Sequence, residues 1–167
     1  GYVGTQGLVL SSSNAGISWS TTQLQSSIKI TDVDCYQGVS SSVTNCITVS
    51  SVGNVLSSND LGLTWTTVST IAGSLNGVSI GWNGVAYAVG QFSSGASAII
   101  RATNITSFTA WMDVSPSGVS GIIFNAVTSY DGIRVIVVGS GGTVYYTSNG
   151  ASMPVSSVIW TQSSSAA

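Results

Sequence analysis

Eight side chains carry all the formal charge in this sequence: Lys29, Arg101, Arg134, Asp32, Asp34, Asp60, Asp113 and Asp131. There is no Glu and no His. General acid–base catalysis draws mainly on His and on carboxylates placed near one another, and here only Asp32 and Asp34 are close in sequence. Separated by two in a β-like segment, they face the same side and form the one candidate pair for a calcium ion. The plainer reading is two solvated polar residues at a strand end. Nucleophilic triads need His, and zinc sites need clusters of His or Cys, so the sequence assigns no catalytic residue, no cofactor and no further metal site.

Two cysteines, Cys35 and Cys46, bracket a Ser-rich turn between β-like segments. In an oxidising compartment this spacing predicts a cross-hairpin disulfide; two unpaired buried thiols are the other reading. One N-glycosylation sequon, Asn104-Ile105-Thr106, falls in an expected turn. Trp82 stands beside an Asn-Gly turn, and with Tyr87 and the loop around Phe92 it makes the candidate binding surface for a sugar or a partner. Packing against an adjacent loop is the competing account of Trp82.

The elements that would position these residues follow from a repeat. Trp19, Trp65, Trp111 and Trp160 recur at steps of 46, 46 and 49 residues. The text before three of them is shared: GLVLSSSNAGISW (7–19), GNVLSSNDLGLTW (53–65) and, with an insertion, GTVYYTSNGASMPVSSVIW (142–160). The remaining unit keeps only AIIRATNITSFTAW (98–111). Such a period fits either propeller blades or two-helix solenoid repeats.

Local chemistry chooses between them. The third unit holds four short runs rich in β-branched and aromatic residues, GVSIGW, VAYAVG, SAIIRAT and TAWMDV, with Asn83-Gly84 as a hairpin signal between the first two. Helical solenoids need long segments of period 3.6, and none is present. Four strands joined by tight turns, repeated, predict an all-β propeller of four-stranded antiparallel blades, about four in this chain. The units run over 1–24, 25–70, 71–115 and 116–162, with 163–167 as a Ser/Ala-rich tail or linker. A tryptophan on each outermost strand then closes over the gap to the next blade as core packing.

Residues 58–65, with Ser58, Asp60, Gly62, Thr64 and Trp65 in place, match the S-x-D-x-G-x-T-W Asp-box of BNR-type propellers, and the texts YAVG, VIVVGSGGTVYYTSNG and GNVLSSNDLGLTW resemble the repeats of photosystem II assembly factor propellers and of sialidase and sortilin folds. The box is complete once. Asn14 takes the Asp place in the first unit, and Asn149-Gly150 precedes an insertion in the fourth. The resemblance implies that the box is a structural turn between the third and fourth strands, without catalytic duty. Sialidases also need an arginine cluster, a Tyr with a Glu partner and an Asp acid; with two Arg and no Glu, this chain lacks that set.

Composition narrows the function further. With 33 Ser and 17 Thr against eight charges, far below the typical quarter of charged residues, the surface must be covered by glycans, by assembly or by a larger parent. Three cations cannot neutralise a run of phosphates, which excludes nucleic acid as partner. No stretch reaches the length of about 18–20 apolar residues that a spanning helix needs. The first unit begins at the second strand of a blade, so an innermost strand is owed from a longer chain or a neighbouring copy. The expectation is a non-enzymatic, extracellular or secreted structural or adhesive propeller module, glycosylated, and built into a homo-oligomer or fibre by edge-strand complementation. A carbohydrate- or protein-binding propeller module of assembly-factor type is the alternative.

Overall fold

The computed structural model describes residues 2–3, 7–24, 28–37, 44–103 and 110–164. Asn104 and residues 165–167 of the tail lie outside the described residues. Among the described residues, fifteen strands form four antiparallel sheets. The first sheet has three strands, β1 (Tyr2–Val3), β2 (Leu8–Ser11) and β3 (Ser20–Gln23). The second runs β4 (Ile30–Gln37), β5 (Thr44–Ser50), β6 (Asn54–Ser58) and β7 (Thr66–Thr70). The third runs β8 (Gly73–Ile80), β9 (Ala86–Phe92), β10 (Ser97–Ala102) and β11 (Trp111–Asp113). The fourth runs β12 (Phe124–Thr128), β13 (Val135–Gly139), β14 (Val144–Thr147) and β15 (Thr161–Gln162). Each sheet is an up-and-down meander, the architecture of a propeller blade. The helical solenoid excluded on sequence grounds is absent among the described residues.

The blades stack face to face, and apolar side chains fill the gaps. Ile28, Ile30 and Leu56 pack with Leu24 and Trp65 beside the first blade. Ile47, Val49 and Val55 of the second blade meet Leu75, Val78, Ala86, Ala88 and Ile100 of the third. Tyr87, Val89 and Ile99 of the third meet Phe124, Val135, Val137 and Tyr145 of the fourth. Strands covered on both faces read as continuous apolar runs, which is why AYAV and AII carry no alternation.

The innermost strands share one irregularity. In β4, β8 and β12 a single residue is bulged out of register: Thr31, Asn76 and Asn125 respectively. A bulge re-aims the side chain it adds, and the first two point at the next blade. Thr31 Oγ1 donates to Leu75 O at 2.7 Å. Asn76 Nδ2 donates to Phe124 O at 2.8 Å.

Candidate functional site

The Asp-box turns are the most regular feature between blades. In the second blade, Asp60 Oδ1 accepts from Ser58 Oγ (2.8 Å) and from the Thr64 amide (2.9 Å), while Oδ2 accepts from Thr64 Oγ1 (2.5 Å). Ser58 Oγ also accepts from the Gly62 amide at 2.9 Å. These donors, led by the Thr64 hydroxyl, hold the Asp60 carboxyl down at about 2. The first blade repeats the turn with an amide: Asn14 Oδ1 accepts from Ser12 Oγ and the Ser18 amide, and Ser12 Oγ accepts from Gly16 N. In the fourth, Asn149 Oδ1 accepts from Thr147 Oγ1 and the Ile159 amide across the insertion. All three side chains act as turn acceptors.

The boxes of the first and second blades bend through left-handed backbone at positions where the sequence offers no glycine. Ala15 (φ 55°) precedes Gly16 (φ 86°), and Leu61 (φ 63°) precedes Gly62 (φ 85°). A Cβ in that region costs about 1 kcal/mol or more per residue, so the hydrogen-bonded box holds the strain.

The boxes and their tryptophans lean toward the preceding blade, which corrects the expectation that each ring closes the gap to the next one. Thr22 Oγ1 of the first blade donates to Gly62 O at 3.2 Å, and Trp65 donates to the same carbonyl at 3.0 Å. Trp160 Nε1 donates to Val114 O at 2.6 Å, at the end of the third blade. Trp111 packs on the core between the second and third blades. Trp19, with no blade before it among the described residues, is 51% exposed.

Asp32 and Asp34 do not form the calcium pair that their spacing allows. Asp32 accepts the amides of Val33 (2.9 Å) and Val78 (2.9 Å); Asp34 accepts those of Cys35 (2.8 Å) and Ile80 (2.8 Å). Every carboxylate oxygen of the pair is taken by a backbone N–H, half of them from β8. The two side chains are staples between innermost strands. Burial pushes the Asp34 carboxyl up, although the Ile80 and Cys35 amides pull it down and neighbouring Asp32 adds a further upward push. Among the described residues no group of three or more His, Cys, Asp or Glu could hold a metal.

Tyr87 is withdrawn from the binding surface as well. Its ring is fully buried between the third and fourth blades and its hydroxyl donates to Gly132 O at 2.9 Å. Burial drives its ionisation up to about 12, against the opposing pull of Arg101. Alternation along AYAVG could not show this, because the covering surface is another repeat. Phe92 is half buried on the core of the second and third blades, and one side of it borders a cavity of about 430 Å³ lined with Ser94, Asp113 and Ser115 to Val119. Trp82 is 54% exposed. Its amide donates to Tyr130 O at 2.9 Å, and Tyr130 is 86% exposed, so two open rings sit on adjoining turns. These turns touch closely: a Cβ on Gly81 would lie 2.1 Å from Gly132 N.

Cys35 and Cys46 face each other across β4 and β5 and are joined by a disulfide. Arg101 carries a role the sequence did not signal. It is fully buried and its Nη1 donates to Gly150 O and to Ser152 O (3.0 Å), with Nη2 reaching Met153 Sδ. It thereby anchors the insertion of the fourth box to the third blade. A buried charge needs such partners.

No protein-family model matches this chain, and no curated protein matches it. Among solved structures it is similar to "YCF48 bound to D1 peptide" with a TM-score of 0.58 and 14% identity, over 80% of this chain and 39% of that one. It is also similar to YCF48 from Cyanidioschyzon merolae, with a TM-score of 0.60 and 20% identity over the same shares. The chain spans about two fifths of the length of these two structures. At these identities the likeness is one of fold, and with the four meandering sheets it makes this chain an all-β assembly of propeller blades.

Proposed function

We propose that this chain is a non-enzymatic propeller module that works by protein–protein contact, as a structural or adhesive unit of an extracellular, glycosylated assembly. The observation that carries the reading is the use of the five carboxylates. Asp32 and Asp34 staple β4 to β8, Asp60 closes its box, Asp113 accepts the Ser115 amide, and Asp131 accepts those of Ile133 and Arg134. Each acidic side chain accepts from backbone, and His and Glu do not occur, so the groups that usually serve as general bases are few and already engaged. The Cys35–Cys46 disulfide supports an oxidising compartment. Likeness to a propeller solved with a bound peptide supports a protein as partner. Asn104 is the proposed glycan site. The test is the size and composition of native material: a multi-chain protein particle is expected, and a lone chain with turnover of a small substrate overturns the reading.

The exposed pair Trp82 and Tyr130 favours a second reading, in which those turns hold a carbohydrate or an extended peptide. Trp82→Ala would then abolish retention on an immobilised glycan or peptide while leaving the fold unchanged.

A further inference from the structure

The register of the sheets makes the blades comparable position by position, and the fourth stands apart. Opposite the second bulge-side residue of the innermost strand stand Val49, Val89 and Val138; two residues on stand Ile47, Tyr87 and Ile136. In the second and third blades these side chains are fully buried under the following blade. In the fourth, Ile136 is 48% and Val138 40% exposed, and Tyr146 beside them is 47% exposed. The bulge residue Asn125 and Thr128 are likewise exposed, whereas their counterparts Asn76 and Ser79 bond the next blade through Phe124 O and Ser129 N. Tyr130, Ile136 and Tyr146 line a groove of about 440 Å³ there.

The first blade shows the converse face. Its box is fully hydrogen-bonded, yet Gly16 and Trp19 are exposed. In the later blades the box glycine is covered by the preceding blade: a Cβ on Gly62 would touch Ser11 Cβ at 3.8 Å, and one on Gly150 would lie 2.6 Å from Tyr87 Oη. Tyr87 is the counterpart of Ile136.

From these two faces we infer that the fourth-blade face of one copy receives the first-blade face of a second copy, the Ser12–Trp19 box seating over Ile136, Val138 and Tyr146. The contact repeats the internal blade-to-blade packing, a box turn over the second and third strands, here with apolar Ile136, Val138 and Tyr146 beneath it and the Asp131–Arg134 pair lining the same groove. Such a pairing is heterologous, so it propagates head to tail into a ring or a filament. It rests on the contact-module reading above and names the partner.

Sedimentation of the purified chain tests it with two variants at exposed positions, Ile136→Glu and Trp19→Glu, each checked for native circular dichroism. The wild type is expected to grow in size with concentration. Each variant alone is expected to remain monomeric, and an equimolar mixture to stop at dimers, because each supplies one intact face. A wild type that stays monomeric up to about 1 mM, the weak end of specific association, overturns the inference. So does association that Ile136→Glu removes and Trp19→Glu leaves intact, which marks a symmetric contact. A monomeric purified chain found bound to a different protein in native material overturns this inference alone; a native monomer overturns the contact-module reading with it.

Discussion

The Asp34 carboxylate on β4 accepts the backbone N–H of Ile80 on β8, 2.8 Å away and 46 residues along the chain. One repeat of sequence thus separates the two ends of a staple that fixes how neighbouring blades meet. Ser79 occupies the matching place one blade on, where its hydroxyl accepts the Ser129 amide at 3.1 Å. Asp34→Ala leaves the Ile80 amide without its acceptor, and a buried unsatisfied donor costs about 1–3 kcal/mol. Denaturant unfolding is expected to show a loss in that range; a loss below the error of the midpoint would mean that the staple is incidental.

Asp60 contributes through its charge at neutral pH and loses that contribution in acid. Its folded carboxyl titrates at about 2, below the ordinary value of 3.8, so its stabilisation is complete above the unfolded pKa and is lost as pH falls from there through about 2. Asp34 has the opposite sign: raised by burial, it opposes the folded state above its folded pKa and is relieved as pH falls through that value. Asn14 and Asn149 serve as acceptors in the same turn, so Asp60→Asn is expected to unfold close to wild type at pH 7 and to lose less stability than wild type between pH 4 and 2. Equal acid slopes for the two proteins would refute the assignment.

Leu61 is more than half exposed and held at φ 63°. Asn tolerates that conformation better than Leu, so Leu61→Asn is expected to stabilise by about 0.5–1 kcal/mol. A rise in Tm of a few degrees would show it; a fall would place the Leu61 side chain in a contact of its own.

The Cys35–Cys46 bridge closes a short loop across adjacent strands. Constraining the unfolded chain over a loop of this size is worth about 2–3 kcal/mol. The double replacement of Cys35 and Cys46 by Ser should lower stability by that amount and leave the blade signature in circular dichroism intact. An unchanged denaturation midpoint would contradict this.

Much of the fold was legible because its signals are local. The tryptophan period, the box residues Ser58 to Trp65 and the Asn83-Gly84 turn each act within a few residues, and together they yield the blade repeat. What escaped depends on the neighbouring blade. Asp32 and Asp34 have the spacing of a cation pair, and only the amides of Val78 and Ile80 turn them into staples. Tyr87 and Ile136 occupy the same place in their repeats; one is buried and the other half exposed, by what lies over them and not by their own sequence. Arg101 reads as one of two unremarkable arginines until the 149–153 segment folds onto it. Ala15 and Leu61 adopt left-handed backbone because the box demands it, where composition would have put glycine.

If this chain acts through contacts between protein surfaces, electron microscopy of native material with intact mass on the same sample will show it. Ordered multi-chain particles or fibres are expected, in which the Ile136, Val138 and Tyr146 face is covered, with a mass per chain above 16.9 kDa from glycan at Asn104. Dispersed, unmodified single chains with that face bare would contradict it.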